Sequence, residues 1–167
     1  MPNWCSNYIL IESGDKAKLD EVLDGILDAI HQVDFNKLIP MPAILSKTGH
    51  GTREFDGKKH TAWYSEGHGK DDLNRPFTDE EKAELAKIGF TDWYEWSCSN
   101  WGTKWNASGT ETNEDSKEFG QIEIRYQTAW SAPEPVLAKM CEMFPDVEFT
   151  FRCRYEDDHE YPHEVAA

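Results

Sequence analysis

The strongest constraint on this chain is a strict alternation of apolar and polar side chains in two segments of its C-terminal half. The segment 119–130 alternates Ile122, Ile124, Tyr126 and Thr128 with charged or polar residues, and the segment 147–155 has an apolar residue at every second position. A period of two is typical of a β-strand with one buried and one solvated face. Between them, Ser131-Ala132-Pro133-Glu134 forms a capping-box pattern that predicts a helix ending at Pro145. This half of the chain is therefore predicted to be strand–helix–strand.

The N-terminal segment predicts a second strand–helix unit. Residues 3–11 are rich in β-formers and end at Ser13-Gly14, and their apolar residues occupy both parities. A strand covered on both faces is typical of a central position in a sheet, so we expect one here. Residues 15–31 follow, with Asp15 as a candidate cap and apolar residues on one helical stripe, namely Leu19, Val22, Leu23, Ile26, Leu27 and Ile30.

The middle of the chain is more polar and has weaker periodicity. Thr78-Asp79-Glu80-Glu81 is a capping box that predicts a helix to Ile88, ended by Gly89. Thr91 is a candidate cap for a second short helix that carries Trp93 and Trp96 on one side. The remaining segments are predicted as a short extended piece over 34–42, a mobile loop over 46–76, a strand over 103–110 and an acidic tail over 156–164.

Without residues 32–102, the predicted elements follow the order β-α-β-β-α-β. This is the ferredoxin-like arrangement, an α+β sandwich in which two helices cover one face of a four-stranded antiparallel sheet. The expected strand order is 4-1-3-2. We therefore predict a single domain over residues 1–156, with a long insertion at about 32–102 between the first helix and the second strand, and an acidic tail over 157–167.

The charge of the chain limits its partners. The formal net charge is −15 in 167 residues, so the overall field repels duplex nucleic acid and anionic membranes. No apolar run is long enough to span a bilayer, and the N-terminus does not have the pattern of a secretory signal. Cys5, Cys98, Cys141 and Cys153 are too far apart in sequence for a metal knuckle or a redox pair, which favours free thiols in a cytoplasmic protein.

Five sequence motifs, four of which contain tryptophan, resemble one family. They are Pro2-Asn3-Trp4-Cys5-Ser6-Asn7, residues 34–42, Trp93-Tyr94-Glu95-Trp96, Asn100-Trp101-Gly102-Thr103-Lys104-Trp105 and Thr128-Ala129-Trp130-Ser131-Ala132-Pro133. In this order they resemble the YubB-type ferredoxin-like family, whose members are carried by bacterial phages, conjugative plasmids and integrated elements. The resemblance implies the same fold, but it implies no catalytic residue and no cofactor. The family name describes topology, and the chain has no cysteine run that could bind an iron–sulfur cluster.

Three arginines form the first candidate site. Arg125, Arg152 and Arg154 fall on the polar faces of the two alternating strands, and they are three of only five arginines in the chain. Lys104 is expected to join them from a neighbouring strand. Such a strip could bind an anion such as phosphate or carboxylate. The alternative is cross-strand pairing with Glu123 and Glu148.

Aromatic residues form the second candidate site. Trp96 and Trp101 belong to a segment that also contains Trp93, Tyr94 and Trp105, and it could present a stacking platform for bases or a groove for a peptide. The alternative is that these rings bury the insertion.

The histidines and the known catalytic motifs give weaker signals. His159 and His163 have a metal-ligand spacing among acidic residues, but Pro162 breaks a helix there, and His50, His60 and His68 lie in the predicted loop. All five are predicted to be solvated polar residues. No phosphate-binding loop or hydrolase motif occurs, so we predict neither metal site, cofactor nor catalytic residue.

Three functions are compatible with the sequence. The leading hypothesis is a non-enzymatic interaction or regulatory protein of a bacterial mobile element, whose partner is a protein. A sharper version is an acidic mimic of DNA. The second hypothesis is a single-stranded nucleic-acid binder that uses the sheet face. The third is a small enzyme acting on an anionic substrate, for which the sequence supplies no general base.

Overall fold

A computed structural model of the chain describes residues 3–66, 73–156 and 163–165. These residues form antiparallel sheets and four α-helices, so the protein belongs to the α+β class. In chain order the elements are β1 (Trp4–Glu12), α1 (Lys16–Ile26), β2 (Thr48–Phe55), β3 (Lys58–Glu66), β4 (Leu73–Arg75), α2 (Asp79–Ile88), α3 (Trp93–Asn100), β5 (Ser108–Asn113), β6 (Gln121–Ala129), α4 (Glu134–Met143), β7 (Glu148–Tyr155) and β8 (His163–Glu164). None of the described helices is long and apolar enough to cross a membrane.

The chain divides into two compact units. The first contains Met1–Pro40 and Asn100–Ala167, and the second contains Met41–Ser99. The first unit therefore carries the two alternating strands and both N-terminal elements, and the second carries most of the polar middle of the chain.

The first unit contains a five-stranded antiparallel sheet in the order β5-β6-β1-β7-β8. The central position predicted for the first strand is confirmed, because β1 pairs with β6 on one side and with β7 on the other. The sheet has one strand more than predicted. His163 and Glu164 return from the predicted tail and pair with Cys153 and Arg152 of β7, so the backbone of β7 is not left as an open edge there.

One face of this sheet is buried and the other is partly open to solvent. Along β1, Cys5, Asn7, Ile9 and Ile11 are buried, and the residues between them are only half-buried. Helices α1 and α4 each carry a buried apolar stripe, and together with the buried side of β6 and β7 they form the core of the unit. The partly open side of the sheet is called the open face below.

The first helix is shorter than its apolar stripe predicts. It ends at Ile26, and Leu27 takes an extended conformation and bridges to Val33. Lys37 donates from its ammonium group to the carbonyl oxygens of Asp24 and Leu27, which replaces the hydrogen bonds that a further helical turn would have made. Ile30 was therefore wrongly placed on the buried stripe, and its side chain is 75% exposed.

Three further boundaries differ from the prediction. The extended piece at 34–42 contains a 3-10 turn over Phe35–Lys37, because the Asp34 carboxylate accepts a hydrogen bond from the Asn36 amide. The strand predicted at 103–110 begins only at Ser108. The Ser131 capping box does not form, because α4 begins at Glu134 with Pro133 as its cap, and the Ser131 hydroxyl donates to the Gly102 carbonyl.

The mobile loop predicted over 46–76 is wrong for the part that the structure describes. Residues of the second unit form a three-stranded antiparallel sheet in the order β2-β3-β4. Its first turn is Asp56-Gly57, and both residues have positive φ, 50° and 75°. An Asp-Gly pair with this backbone is a strong signal for a two-residue hairpin, and it outweighs the polar composition of the flanking strands.

Helices α2 and α3 complete the second unit. The capping box at Thr78 and Glu81 and the left-handed Gly89 that ends α2 are confirmed. The cap of α3 is Asp92 instead of Thr91, because the Asp92 carboxylate accepts a hydrogen bond from the Glu95 amide at 3.0 Å. Trp96 lies on the buried side of α3 and is 5% exposed.

Candidate ligand-binding site on the sheet face

Three adjacent strands bring two arginines and a tyrosine into one row on the open face. Tyr8 of β1 lies directly opposite Arg125 of β6 and also directly opposite Arg152 of β7. Directly opposed residues of an antiparallel pair project to the same side of the sheet. Neighbouring strands are about 4.8 Å apart, so the two arginine backbones are separated by about 10 Å with the phenol ring between them. We call Arg125, Tyr8 and Arg152 the arginine row.

The side-chain phase predicted for all three arginines is confirmed. Arg125, Arg152 and Arg154 are exposed, and the residues flanking Arg125 on β6, Ile124 and Tyr126, are buried. Arg154 lies opposite Ser6 of β1, one step along the strand from the arginine row. The open face therefore collects every arginine of the first unit.

Arg125 is held by a neighbouring carboxylate on its own strand. Its Nε and Nη2 atoms donate to the same oxygen of Glu123, Oε1, at 3.0 and 2.7 Å. These hydrogen bonds raise the pKa of the Arg125 guanidinium. The guanidinium carbon lies 5.6 Å from the centre of the Tyr8 ring, which adds a cation–π contact. The prediction that at least one of these arginines faces a carboxylate is confirmed.

Arg152 and Arg154 have a different environment. Neither guanidinium forms a hydrogen bond or ion pair with another residue in the part of the chain that the structure describes. A guanidinium remains charged at any working pH and offers a planar fork of donors to an anion. These two side chains are therefore the available cations of the open face.

An aromatic cluster lies at the N-terminal end of β1. The rings of Trp4 and Trp105 are 6.2 Å apart, and the ammonium group of Lys104 lies 4.7 Å from the Trp105 ring and 5.0 Å from the Trp130 ring. Trp105 and Trp130 are 39% and 44% exposed. Trp130 also has a left-handed backbone, with φ of 74°, which is unusual for a bulky residue. We call Trp4, Trp105, Trp130 and Lys104 the tryptophan cluster.

A small pocket opens beside the arginine row. It has a volume of about 270 Å³ and is lined by Tyr8, Ile9, Leu10, Glu123, Thr150 and Arg152. Leu10 lies opposite Glu123 on one side and Thr150 on the other, so a carboxylate, an alkyl side chain and a hydroxyl form a second row next to the first. Drug-sized ligands occupy pockets of roughly 300–1,000 Å³, so this one suits a single small ring system.

The other predicted site residues do not join the arginines in the predicted way. Lys104 precedes β5 instead of lying on a strand, and its ammonium group contacts the two indole rings named above. Trp101 is 4% exposed, and its indole nitrogen donates to the Ile39 carbonyl at 2.9 Å. Trp96 belongs to the second unit and is also buried. Neither Trp96 nor Trp101 presents a ring for stacking on a ligand.

Sequence reasoning missed the residues that complete the site. Tyr8, Leu10 and Trp4 share one parity of β1, and the predicted burial of both faces of this strand hid their partial exposure. A usable signal was present in the sequence. Helices cover only one face of the sheet in an α+β sandwich, so the alternate positions of β1 that hold Trp4, Tyr8 and Leu10 must face the other side.

The histidines that the structure describes on β2, β3 and β8 lie on strands and not in a loop, but His50 and His163 are exposed as predicted. His50 and His60 lie on strands, and the Nδ1 atom of His50 is 2.9 Å from a carboxylate oxygen of the buried Asp92. The His50 ring stacks on Tyr94, with ring centres 4.2 Å apart. His163 lies on β8. His68 and His159 lie outside the described residues, as do the neighbouring Asp157, Asp158 and Glu160.

The geometry of the first unit agrees with one comparison to known proteins. Residues 100–161 match a family model described as a ferredoxin-like domain in Api92-like protein. No curated protein matches the chain, and no solved structure does. The matched segment contains β5, β6, α4 and β7, and with them Arg125, Arg152 and Arg154. The match supports a ferredoxin-like domain, and Tyr8 and Trp4 lie outside it.

Proposed function

We propose that the protein binds single-stranded nucleic acid across the open face of its five-stranded sheet. The observation that carries this proposal is the arginine row, in which an aromatic ring lies between two exposed guanidinium groups on adjacent strands. A guanidinium fork binds phosphate as well as carboxylate, and a half-buried ring on a strand can stack on an unpaired base. A nucleotide chain offers a ligand for both groups, because each nucleotide carries a phosphate and a base.

The tryptophan cluster extends this surface along β1. Trp4 and Tyr8 are four residues apart on the same side of the strand, which corresponds to about 13 Å. Arg154 lies between these two positions, opposite Ser6. The aromatic groups and the cations therefore alternate along one line, and a chain of two or three nucleotides would follow it. Each stacked base contributes about 1–3 kcal/mol.

The acidity of the protein limits this binding to short range. A net charge of −15 repels nucleic acid at a distance, so the charge slows association and gives no general affinity for duplexes. The bases of a duplex are already stacked on each other and cannot stack on Tyr8 or Trp4. Single strands with accessible bases are thus the class of ligand that the open face fits.

We further infer the detailed topology of the fold and the biological setting of the protein. The first unit corresponds to a βαββαβ sandwich extended by β8, and the second unit, residues 41–99, corresponds to the insertion between the first helix and the second strand of that sandwich. Sheet-face binding of single strands recurs among domains with this topology, which supports the proposal by analogy. The motif resemblance supports a role in the cytoplasm of a bacterium for a phage, plasmid or integrated element.

A second candidate function is binding to a basic protein, including competition with DNA for a DNA-binding partner. The observation that favours it is the exposed side of α1, which carries Asp20, Glu21 and Asp24. Lys18 pairs with Glu21 and Lys117 pairs with Asp20, so the main support for a mimic of DNA is the net charge of −15. The two candidates use different surfaces and make different predictions for the arginines.

Fluorescence anisotropy with labelled single strands of mixed sequence, both DNA and RNA, tests the first proposal. We expect micromolar binding in low salt, and we expect Arg152→Ala combined with Arg154→Ala to weaken it by at least about tenfold, because each charge-assisted contact is worth roughly 1.5–3 kcal/mol. Lys18→Ala is the matched control, since it removes one exposed cation from α1 on the helix side of the same unit.

The controls separate the two candidates. Lys18→Ala should leave binding unchanged if the open face is the site. Equal losses of binding free energy per charge removed in the double arginine variant and in Lys18→Ala would show that only total charge matters, and the sheet-face proposal would then be wrong. Binding to a basic protein that survives the loss of both arginines would support the second candidate.

A further inference from the structure

The pocket beside Tyr8 combines groups that can distinguish one base from the others. We infer that this pocket selects guanine, with Glu123 as the residue that determines the preference; the inference rests on the proposed binding of single strands to the open face. The pocket borders the arginine row, so a base placed in it belongs to a nucleotide whose phosphate can reach Arg152.

The walls of the pocket suit a flat ring. Tyr8 supplies an aromatic edge or face, and Leu10 supplies an apolar floor between Glu123 and Thr150. The volume of about 270 Å³ is large enough to admit a base. Apolar contact holds any base here, so the walls alone give affinity without preference.

Glu123 supplies the preference, because Arg125 fixes one oxygen of its carboxylate and the other oxygen is left for a ligand. Oε1 accepts both hydrogen bonds from Arg125, which fixes the orientation of the group. Oε2 accepts no hydrogen bond from another residue within the described ranges. The side chain is 36% exposed and lines the pocket. An ionised carboxylate can only accept hydrogen bonds.

Guanine is the base whose pairing edge matches an acceptor-only group. Its ring N1–H and its exocyclic amino group are two adjacent donors. Adenine and cytosine each place a ring acceptor next to their amino group, and thymine and uracil place carbonyl oxygens on both sides of N3–H. A carboxylate that approaches any of these three edges meets at least one acceptor, which is repulsive. The Thr150 hydroxyl on the opposite side of the pocket can donate or accept a hydrogen bond, so it does not distinguish one base from another.

The experiment uses the full-length protein and short labelled thymine strands that carry one central guanine, adenine, cytosine or hypoxanthine. A single guanine in a thymine background cannot form a quadruplex. We expect the guanine strand to bind about tenfold more tightly than the all-thymine strand, in line with the worth of a hydrogen bond to a charged acceptor. Hypoxanthine lacks the amino group, so we expect it to lose most of this preference.

The Glu123→Gln variant is the decisive test, and Glu148→Gln is its matched control. Glu148 lies on β7 outside the pocket, so its substitution makes the same charge change on the same sheet. We expect Glu123→Gln to remove the guanine preference and to leave the all-thymine strand bound within about twofold, while Glu148→Gln keeps the preference.

The remaining outcomes contradict either the guanine preference or the proposed binding of single strands. A guanine preference that persists in Glu123→Gln, or hypoxanthine that binds as well as guanine, would overturn the inference and leave single-strand binding intact. Binding of every strand that increases equally in Glu123→Gln would also overturn it, because release of Arg125 alone would explain that result. If no strand binds the wild-type protein at all, the proposed function itself is wrong.

Discussion

Arg75 and Glu81 form a two-point ion pair, in which guanidinium nitrogens Nη1 and Nη2 each lie 2.7 Å from a different carboxylate oxygen. Glu81 also closes the capping box of α2 by accepting a hydrogen bond from the Thr78 amide. The pair thus joins the end of β4 to the start of α2 within the second unit. These hydrogen bonds, above all those from Arg75, lower the pKa of Glu81 from 4.5 to about 2.

The first prediction follows from this lowered pKa. A carboxyl group whose pKa is lower in the folded state stabilises the fold above its ordinary pKa, and this contribution is lost as the pH falls. For Glu81 the loss should extend from about pH 4.5 down to about pH 2. We expect Glu81→Gln to lower the free energy of unfolding by about 1 kcal/mol at neutral pH and to flatten this acid dependence.

Hydrogen exchange of the α2 amides and urea unfolding at neutral and acid pH measure this effect. Glu84→Gln is the matched control, because Glu84 is an exposed residue of the same helix. The pair is not a determinant of acid stability if both variants show the same pH dependence as the wild-type protein.

The second prediction concerns the hairpin turn of the second unit. Gly57 has a φ of 75°, and a Cβ atom added to it would meet no atom within 4 Å. Gly57→Ala should therefore destabilise the protein through backbone conformation alone, by about 1 kcal/mol. Gly14→Ala is the control, since Gly14 has the same open surroundings without a positive φ. Urea unfolding should show a lower midpoint for Gly57→Ala only.

Asp56 and Gly57 also show why part of the fold was missed. The helices that have capping boxes or continuous apolar stripes were predicted from local signals, and β6 and β7 from strict alternation. The hairpin at Asp56-Gly57 has an equally local signal, but its strands contain few apolar residues. Their polar composition therefore predicted a loop. The pairing of β8 with β7 could not be predicted, because a two-residue strand has no periodicity of its own.

The candidate site was predictable in one respect. Alternation placed Arg125, Arg152 and Arg154 on one face, and the structure agrees. The position of Tyr8 between two of them could not be derived from any single strand, because it depends on the register of β1 with both neighbours. Register is set by the whole buried face, so contacts across strands remain beyond sequence patterns.

The third prediction concerns the four cysteines, which form no disulfide among the residues that the structure describes. Thiol titration of the denatured protein should find four reactive groups. In the native protein, Cys5 and Cys153 are buried and should react slowly, whereas Cys98 and Cys141 are only partly buried. Burial raises the pKa of the Cys141 thiol, so its reaction should become faster as the pH rises above neutrality. Two or fewer thiols after denaturation would indicate disulfides.

The last prediction concerns salt. Cations that contact phosphates release counterions, and for single strands the slope of log affinity against log salt is about −0.7 per contact. If Arg152, Arg154 and Lys104 act together, the slope should be about −2. Arg152→Ala with Arg154→Ala should reduce its magnitude by about 1.4, while Lys18→Ala leaves it unchanged. Anisotropy titrations over a range of salt measure these slopes, and a duplex of the same sequence should not bind appreciably near physiological salt. A duplex that binds as tightly as the single strand, or a slope that the double variant does not alter, would contradict recognition by the open face.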